Sequence, residues 1–362
     1  MKILQIIPSL SSGGAERFTV DLCNELSKNN SVYLLTFRDY IDSDFYRPQI
    51  SEQVKQVIYR GNYSILSKIW QLFVVTYYLI KIRPSVIHTH DVAIFYAVIY
   101  AFLFRRVKVF YTVHNLADKD TNSGISAFLR KKVLKNRIHA VSISETCRRS
   151  FNAFYGYDSF CTIENGCREL SLSNEIDKVQ QEVRGYCNSL NTKVYICVAR
   201  IVEAKNHKML IDAFNRMAER GDDFVLLLIG KYINDSELKK KLDASIKTKN
   251  IRFLGTRTNV PDYLACADFF CLSSLWEGLP ISVLEAGLSG CYPICTPAGG
   301  VVDVLKDEKW GVLSKGMSSE KYIEAVDHAN KIKPNRDALI SLYRNRYMME
   351  KCAKEYLNLY RQ

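Results

Sequence analysis

The sequence predicts an α/β protein of two doubly wound, Rossmann-like domains, each a parallel sheet with crossover helices. Three observations predict it. Short β-type runs alternate with helical stretches, the pattern of parallel strands joined by helices. That pattern ends near residue 163 and starts afresh at Val194, after a polar join from Ser171 to Asn191. The chain has 362 residues and 48% hydrophobic composition, enough for two buried cores.

In the first half the expected strands are Ile3–Ile7, Val32–Phe37, Val54–Tyr59, Val86–His90, Lys108–Val113, Ala140–Ile143 and Cys161–Ile163. The helical stretches between them are Ala15–Asn29, Ser64–Ile82, Ala93–Phe104, Ser126–Lys135 and Glu145–Phe154. In the second half the strands are Val194–Ala199, Phe224–Ile229, Ile251–Leu254, Asp268–Leu272 and Tyr292–Cys295. Lys208–Arg220, Ser236–Thr248, Val260–Cys266 and Ile281–Ser289 are its helices. A Tyr- and Arg-rich helical pattern runs from about Ala338 to Leu359. The expected domains are 1–175 and 190–338, followed by a C-terminal helix over 339–362.

Composition narrows the function classes. Eleven cysteines without a C-x-x-C pair argue for reduced thiols in the cytosol rather than disulfides or zinc. The start, Met1 to Pro8, turns polar too soon for a signal peptide and reads as a first strand. The most apolar run, Val92 to Phe104, is too short to span a membrane. The net charge is +12, and the excess is concentrated between Arg60 and Arg137, where only Asp91, Asp118 and Asp120 are acidic. Such a basic half suits a phosphorylated substrate or an anionic membrane surface. No nucleic-acid motif accompanies it, so nucleic acid is not an expected partner. Lys131, Lys132 and Lys135, with Phe128 and Trp70, are the candidates for a membrane face.

The most informative stretch is Ser273 to Gly287. It reads as a loop leading into a helix, with Pro280 at the helix start. Glu277 lies on the loop, and Glu285 lies in the second turn, on the face of Ile281 and Ser282. The open N–H groups of a first helical turn favour an anion, and two carboxylates accept hydrogen bonds from hydroxyls. That chemistry suits a sugar phosphate. A surface Glu and a capping Glu would give the same letters.

Two more stretches stand at strand ends. Arg200 comes straight off the first strand of the second half, and Lys205 follows before the next helix. A doubly wound sheet binds ligands at the carboxyl ends of its strands, and Arg can grip phosphate with two parallel hydrogen bonds. Gly13-Gly14, between the first strand and its helix, lets backbone approach a ligand. A plain turn would also use it. It is not G-x-G-x-x-G, and Asp39 only approximates the acid of a dinucleotide site, which disfavours NAD.

His114 ends another strand and is a candidate to face a ligand, although a lone His there is more often structural. His88 and His90 share one strand face without an evident third metal ligand. Asn165-Gly166 reads equally as a turn, Thr256 follows a strand end, and Cys295 to Gly300 forms a Gly-rich loop.

Glu277 and Glu285, in the frame E-G-x-x-x-x-x-x-E-A, resemble the signature of retaining glycosyltransferases with the GT-B fold, the family-4 group. The resemblance covers nearly the whole chain and is most specific in the second half. It implies two Rossmann-like domains facing across a cleft, with the last helix packing back on the first. It implies transfer of a sugar from a nucleotide-sugar donor, UDP being the commonest base, with the anomeric configuration kept. The acceptor would be a glycan or a lipid-linked chain in cell-surface polysaccharide synthesis.

By the same resemblance Arg200 and Lys205 hold the diphosphate, Glu277 the donor sugar and Glu285 the ribose. His114 lies near the reacting carbon, and Gly13 and Gly14 lie over the donor phosphate and the acceptor. Gly278, Leu279, Pro280, Ile281 and Thr256 complete the donor site, and Arg17 and Asn165 belong to the acceptor side or the cleft. Many relatives carry Phe-Gly where this chain has Leu279-Pro280, and Pro280 removes one backbone donor. With Arg200, Lys205 and helix-start N–H groups to neutralise the diphosphate, neither a metal nor a resident cofactor is expected. The enzyme is expected in the cytoplasm, with a peripheral place on the inner face of the cell membrane. Other GT-B types, an epimerase or a phosphorylase, and a non-catalytic relative are the alternatives.

Overall fold

A computed structural model describes residues 1–38, 44–61, 64–120, 125–232, 236–332 and 334–362. The chain divides into two compact units, Met1–Arg168 with Tyr347–Gln362, and Glu169–Arg346.

Unit 1 holds strands β1 (Lys2–Ile7), β2 (Ser31–Arg38), β3 (Lys55–Gly61), β4 (Val86–His90), β5 (Lys108–Val113), β6 (His139–Ser142) and β7 (Cys161–Thr162). All pair in parallel, in the order β3-β2-β1-β4-β5-β6-β7. Its helices are α1 (Gly14–Ser27), α2 (Ile65–Ile82), α3 (Ile94–Leu103), α4 (Ala117–Asp120), α5 (Ile125–Asn136) and α6 (Glu145–Tyr155). Ile6, Ile87, Val109 and Val113 of the sheet pack with Val75, Leu79, Ala97 and Phe151 of the helices.

Unit 2 opens with α7 (Ile176–Tyr186). Its strands are β8 (Lys193–Val198), β9 (Phe224–Ile229), β10 (Ile251–Gly255), β11 (Phe269–Leu272), β12 (Tyr292–Cys295) and β13 (Val312–Leu313), ordered β10-β9-β8-β11-β12-β13. Every residue of β9 is buried, as an unbroken apolar run in a parallel sheet requires. Helices α8 (His207–Glu219), α9 (Ser236–Ser245), α10 (Val260–Cys266), α11 (Ile281–Leu288), α12 (Val301–Val304), α13 (Ser319–Ile332) and α14 (Arg336–Tyr347) complete it.

The short α4, α12 and β13 are absent from the sequence reading, and three longer stretches differ from it. The polar join contains α7, whose Val179 and Val183, four apart, are buried. Tyr263 donates to Glu182 at 2.7 Å, and the Ser173 N–H donates to Asp262 at 2.8 Å, so α7 is tied to α10. The periodic residues Tyr322, Ala325, Val326 and Ala329 bury one side of α13, where the sequence reading places no helix. The single C-terminal helix is two, α14 and α15 (Met349–Arg361), parted by the extended Met348. The break has a cause. Cys167 N–H donates to Tyr347 C=O at 2.7 Å, and Met349 N–H donates to Cys167 C=O at 2.8 Å, so these groups leave the helical ladder for a strand-like bridge. Beyond it α15 packs on α1 in unit 1.

Gly166 permits the bridge. A Cβ there would lie 2.7 Å from the Met349 Cα. Gly166→Ala is therefore expected to destabilise unit 1 by about 1–3 kcal/mol in urea unfolding. Gly185, in α7, has no atom within 4 Å of its Cβ position, so Gly185→Ala is expected to stabilise by roughly 0.5–1 kcal/mol. Equal effects at the two positions would contradict the packing described.

Candidate functional site

In unit 2, β8 stands between β9 and β11, so the crossovers leave it in opposite directions. The carboxyl ends of strands at such a point border a crevice. The loop after β8 carries Arg200 and Lys205, and the loop after β11 carries Glu277. Backbone joins them: the Leu275 N–H donates to Ala204 C=O at 2.8 Å, and Ser273 Oγ donates to Lys205 C=O at 2.8 Å.

Across this seam the Lys205 ammonium pairs with Glu277 Oε1. Ser274 Oγ donates to the same oxygen at 2.5 Å, and Thr296 Oγ1, from the loop after β12, donates to Ser274 C=O at 2.6 Å. Glu277 is 8% exposed, which an unpaired carboxylate would not tolerate. Gly299, at φ +53°, lets the Gly-rich loop pass over the Glu277 carbonyl, where a Cβ would come within 1.9 Å.

Gly278, Leu279, Pro280 and Ile281 are all buried. α11 begins at Ile281, as the sequence reading has it, with Pro280 in the cap position just before its first residue. The amides of Ile281 and Ser282 are then the open N–H groups of the helix start. Glu285 sits half-buried one turn further on. Arg200 is exposed and forms no ion pair among the described residues. Thr256 is exposed at the end of β10, two strands from β8. The structure thus joins Lys205 to Glu277 just before the start of α11, with Arg200 exposed on the same loop as Lys205, and it places Thr256 two strands away. Ser273, Ser274 and Thr296, which hold this arrangement, lie within stretches that the sequence reading singles out, but it gives them no role of their own.

In unit 1, Gly13 caps α1 and Gly14 begins it. Ser11 Oγ donates to Glu16 Oε1 at 2.9 Å, which draws a carboxylate to the start of this helix. Arg17 is buried, its Nε 2.8 Å from Asp21 Oδ2 and its guanidinium over the Tyr46 ring. Asn165 is also buried. Asp39 lies outside the described residues.

His114 belongs to a buried chain of hydrogen bonds on the α1 and α15 side of the sheet. One set of donors satisfies it. The Gln5 Nε2–H donates to the Tyr360 hydroxyl at 3.3 Å, and that hydroxyl donates to His88 Nδ1 at 2.6 Å. His88 Nε2–H donates to Thr112 Oγ1 at 2.6 Å, and Tyr356 lies 3.0 Å beyond. The Gln5 carbonyl accepts from His90 Nε2–H at 2.9 Å, which leaves His90 Nδ1 to accept from His114 Nε2–H at 2.8 Å. His114 Nδ1 is therefore an acceptor. Burial pushes the pKa of His88 and of His114 down to about 3, and that of His90 well below the usual range. The nitrogens of His88 and His90 are thus taken up inside the fold. Among the described residues no group of three or more His, Cys, Asp or Glu is placed to hold a metal, and no helix is long and apolar enough to cross a membrane.

Residues 12–168 match the model of glycosyltransferase family 4, and residues 181–346 match that of glycosyl transferases group 1. Among curated relatives, the Escherichia coli UDP-Gal:alpha-D-GlcNAc-diphosphoundecaprenol alpha-1,3-galactosyltransferase is 30% identical over 140 residues, 38% of this chain and 36% of that protein. A Campylobacter jejuni diphospho-undecaprenol 4-alpha-N-acetylgalactosaminyltransferase is 30% identical over 130 residues, 34% of each chain. The matched stretches thus span well under half the length of these relatives. Among solved structures, Anabaena HepE in complex with UDP and glucose aligns over 99% of both chains with a TM-score of 0.84 at 18% identity, a likeness of fold.

The histidine chain makes stability depend on pH. The folded-state pKa values lie below the unfolded value of about 6.5, so protons bind the unfolded chain better. The stabilisation is complete above that pH and is lost as pH falls toward 3. Each such histidine contributes a slope of up to about 1.4 kcal/mol per pH unit. His88→Gln is expected to flatten the fall in unfolding free energy between pH 6.5 and 4.5, measured in urea. Parallel curves for the two proteins would contradict the assignment.

Proposed function

We propose that this chain, which belongs to the family-4 type of glycosyltransferases with the GT-B fold, transfers a sugar from a nucleoside diphosphate donor with its anomeric configuration kept. UDP is the expected base, and the acceptor is a lipid-linked chain or a glycan in cell-surface polysaccharide synthesis. One observation carries the reading: a cation, a buried carboxylate and a helix start converge at the switch point of unit 2, beside the exposed Arg200. The names of the relatives support the base and the acceptor, since one uses UDP-Gal and both are named for diphosphoundecaprenol substrates.

Arg200, Lys205 and the amides of Ile281 and Ser282 take the diphosphate oxygens. The acceptor oxygen bonds to the anomeric carbon on the face from which the diphosphate departs. The carbon–oxygen bond to phosphate breaks with its electron pair on the diphosphate, and a phosphate oxygen receives the acceptor proton. Charge grows on the leaving group, and cations already in position stabilise it. No metal is needed in this reading. Glu277 accepts from the sugar hydroxyls and Glu285 from the ribose. His114, held in one tautomer, contacts the transferred sugar. Gly278, Leu279 and Pro280 shape the wall of the donor site, Thr256 lies toward the base, and Gly13 and Gly14 border the phosphates. Arg17 and Asn165 act on the acceptor side through the packing they hold in unit 1. A lipid-linked acceptor is met at a membrane, which favours a peripheral position on its inner face.

Thermal unfolding with UDP, GDP, ADP and NAD tests this. A ligand at one hundred times its Kd adds about 2.7 kcal/mol to stability. For domains of 150–250 residues each kcal/mol moves the midpoint by roughly 2–4 °C. The expected result is a shift with one nucleoside diphosphate that Arg200→Ala with Lys205→Ala abolishes. A shift with NAD alone would overturn the reading. Conversion of a nucleotide sugar without any acceptor would favour an epimerase, and absence of any shift a non-catalytic relative.

A further inference from the structure

Unit 1 carries a second feature that donor chemistry does not use. Along its sheet the steps from β3 to β4, from β4 to β5 and from β5 to β6 run in one direction. Right-handed crossovers put α2, α3 and α5 on one side of the sheet. They form a continuous layer. α2 packs beside α3, and Arg137 of the turn after α5 donates to Ala101 C=O of α3 at 2.7 Å. The Arg130 guanidinium of α5 covers the Phe95 ring of α3.

The inner faces of these helices fill the core, but the outer faces are apolar too. On α2, Leu66, Trp70, Phe73 and Tyr77 follow at four, three and four residues, one helical stripe, and are 80%, 58%, 63% and 57% exposed. Leu103 at the end of α3 and Phe128 on α5 are 70% and 66% exposed. Large apolar side chains exposed in a stripe along one helix, with more on its neighbours, mark a docking surface. Its charge selects the occupant. The sequences of α2, α3 and α5 hold no aspartate or glutamate. Lys81 of α2, Arg105 and Arg106 just after α3, and Lys131, Lys132 and Lys135 of α5 are all exposed on this layer of helices.

We infer that the outer face of α2, α3 and α5 docks on an anionic lipid bilayer, with the stripe of α2 lying in the headgroup boundary. A second copy of the chain would bring basic face against basic face, which like-charge repulsion opposes. Helices lying in the interface combine aromatic and aliphatic side chains on one face with Lys and Arg around them. Trp and Tyr suit that boundary because one end of each ring system is polar. The inference rests on the reading above only for its purpose, which is to bring the enzyme to a lipid-linked acceptor.

Flotation of the full chain tests it, on vesicles of phosphatidylcholine with and without phosphatidylglycerol. The expected result is flotation on the anionic vesicles at low salt, about tenfold weaker on neutral ones. Trp70→Glu with Phe73→Glu, and separately Lys131→Glu with Lys132→Glu, are each expected to weaken it by about tenfold or more. Both variants should keep the wild-type unfolding midpoint and its shift with nucleoside diphosphate, which separates a lost surface from a lost fold. No flotation, or flotation equal on both vesicles and untouched by either variant, would overturn the inference. So would a dimer in sedimentation that the Trp70 and Phe73 changes abolish, because the face would then be an interface between copies. Flotation without any nucleotide shift would leave the bilayer surface standing and refute the transfer reading instead.

Discussion

The ion pair between Lys205 and Glu277 is the contact on which the candidate site depends. It joins the loops after β8 and β11, adjacent strands that meet where the crossovers of unit 2 diverge. Neither charge suits that position alone. A buried carboxylate stripped of its partner costs several kcal/mol, and Ser274 supplies only one hydrogen bond. Each loop therefore holds the other in place before any ligand arrives. In the proposed reaction the diphosphate replaces the carboxylate as the partner of Lys205, and the sugar hydroxyls take up Glu277. Both charges stay compensated, so the site needs little reorganisation as charge moves to the leaving group.

Unit 1 relies on a different device. Its histidine chain runs from Tyr356 and Tyr360 of α15 to His114 at the end of β5. The returning chain pairs with Cys167 before α15 starts, and Gly166 makes room for it. A buried polar group is stable only when each atom has its partner. The tyrosines of α15 supply part of that set, so this helix belongs to the interior of unit 1 and not merely to its surface.

Much of this was legible in the residues. Strand-helix alternation predicts both sheets, because parallel strands need crossovers and bury both faces. The motif loops were legible because their chemistry is local: Arg200 with Lys205, and Glu277 with Glu285, lie within a few residues of one another. The unread parts have physical causes. The partners of His88 and His90 lie far away in sequence, and no spacing rule links them. α7 is polar in composition, and only Ile176, Val179 and Val183 betray its buried side. On α2 apolar residues occupy every side, so periodicity alone could not separate its core face from its exposed stripe. The interior ion pair of Arg17 with Asp21, one turn later on α1, also went unread, because nothing in the sequence marks that face of α1 as buried around charge.

The exchange of partners at Lys205 and Glu277 is the central claim, and titration calorimetry on Glu277→Gln addresses it most directly. The ligands are the nucleoside diphosphate that stabilises the protein and the corresponding nucleotide sugar. If Glu277 holds the sugar while Lys205 holds the phosphate, the variant binds the diphosphate at least as well as the wild type. The added affinity of the nucleotide sugar then falls by roughly tenfold or more, the worth of hydrogen bonds to a charged group. An equal loss for both ligands would contradict the account, because Glu277 would then be supporting the loop and not reading the sugar.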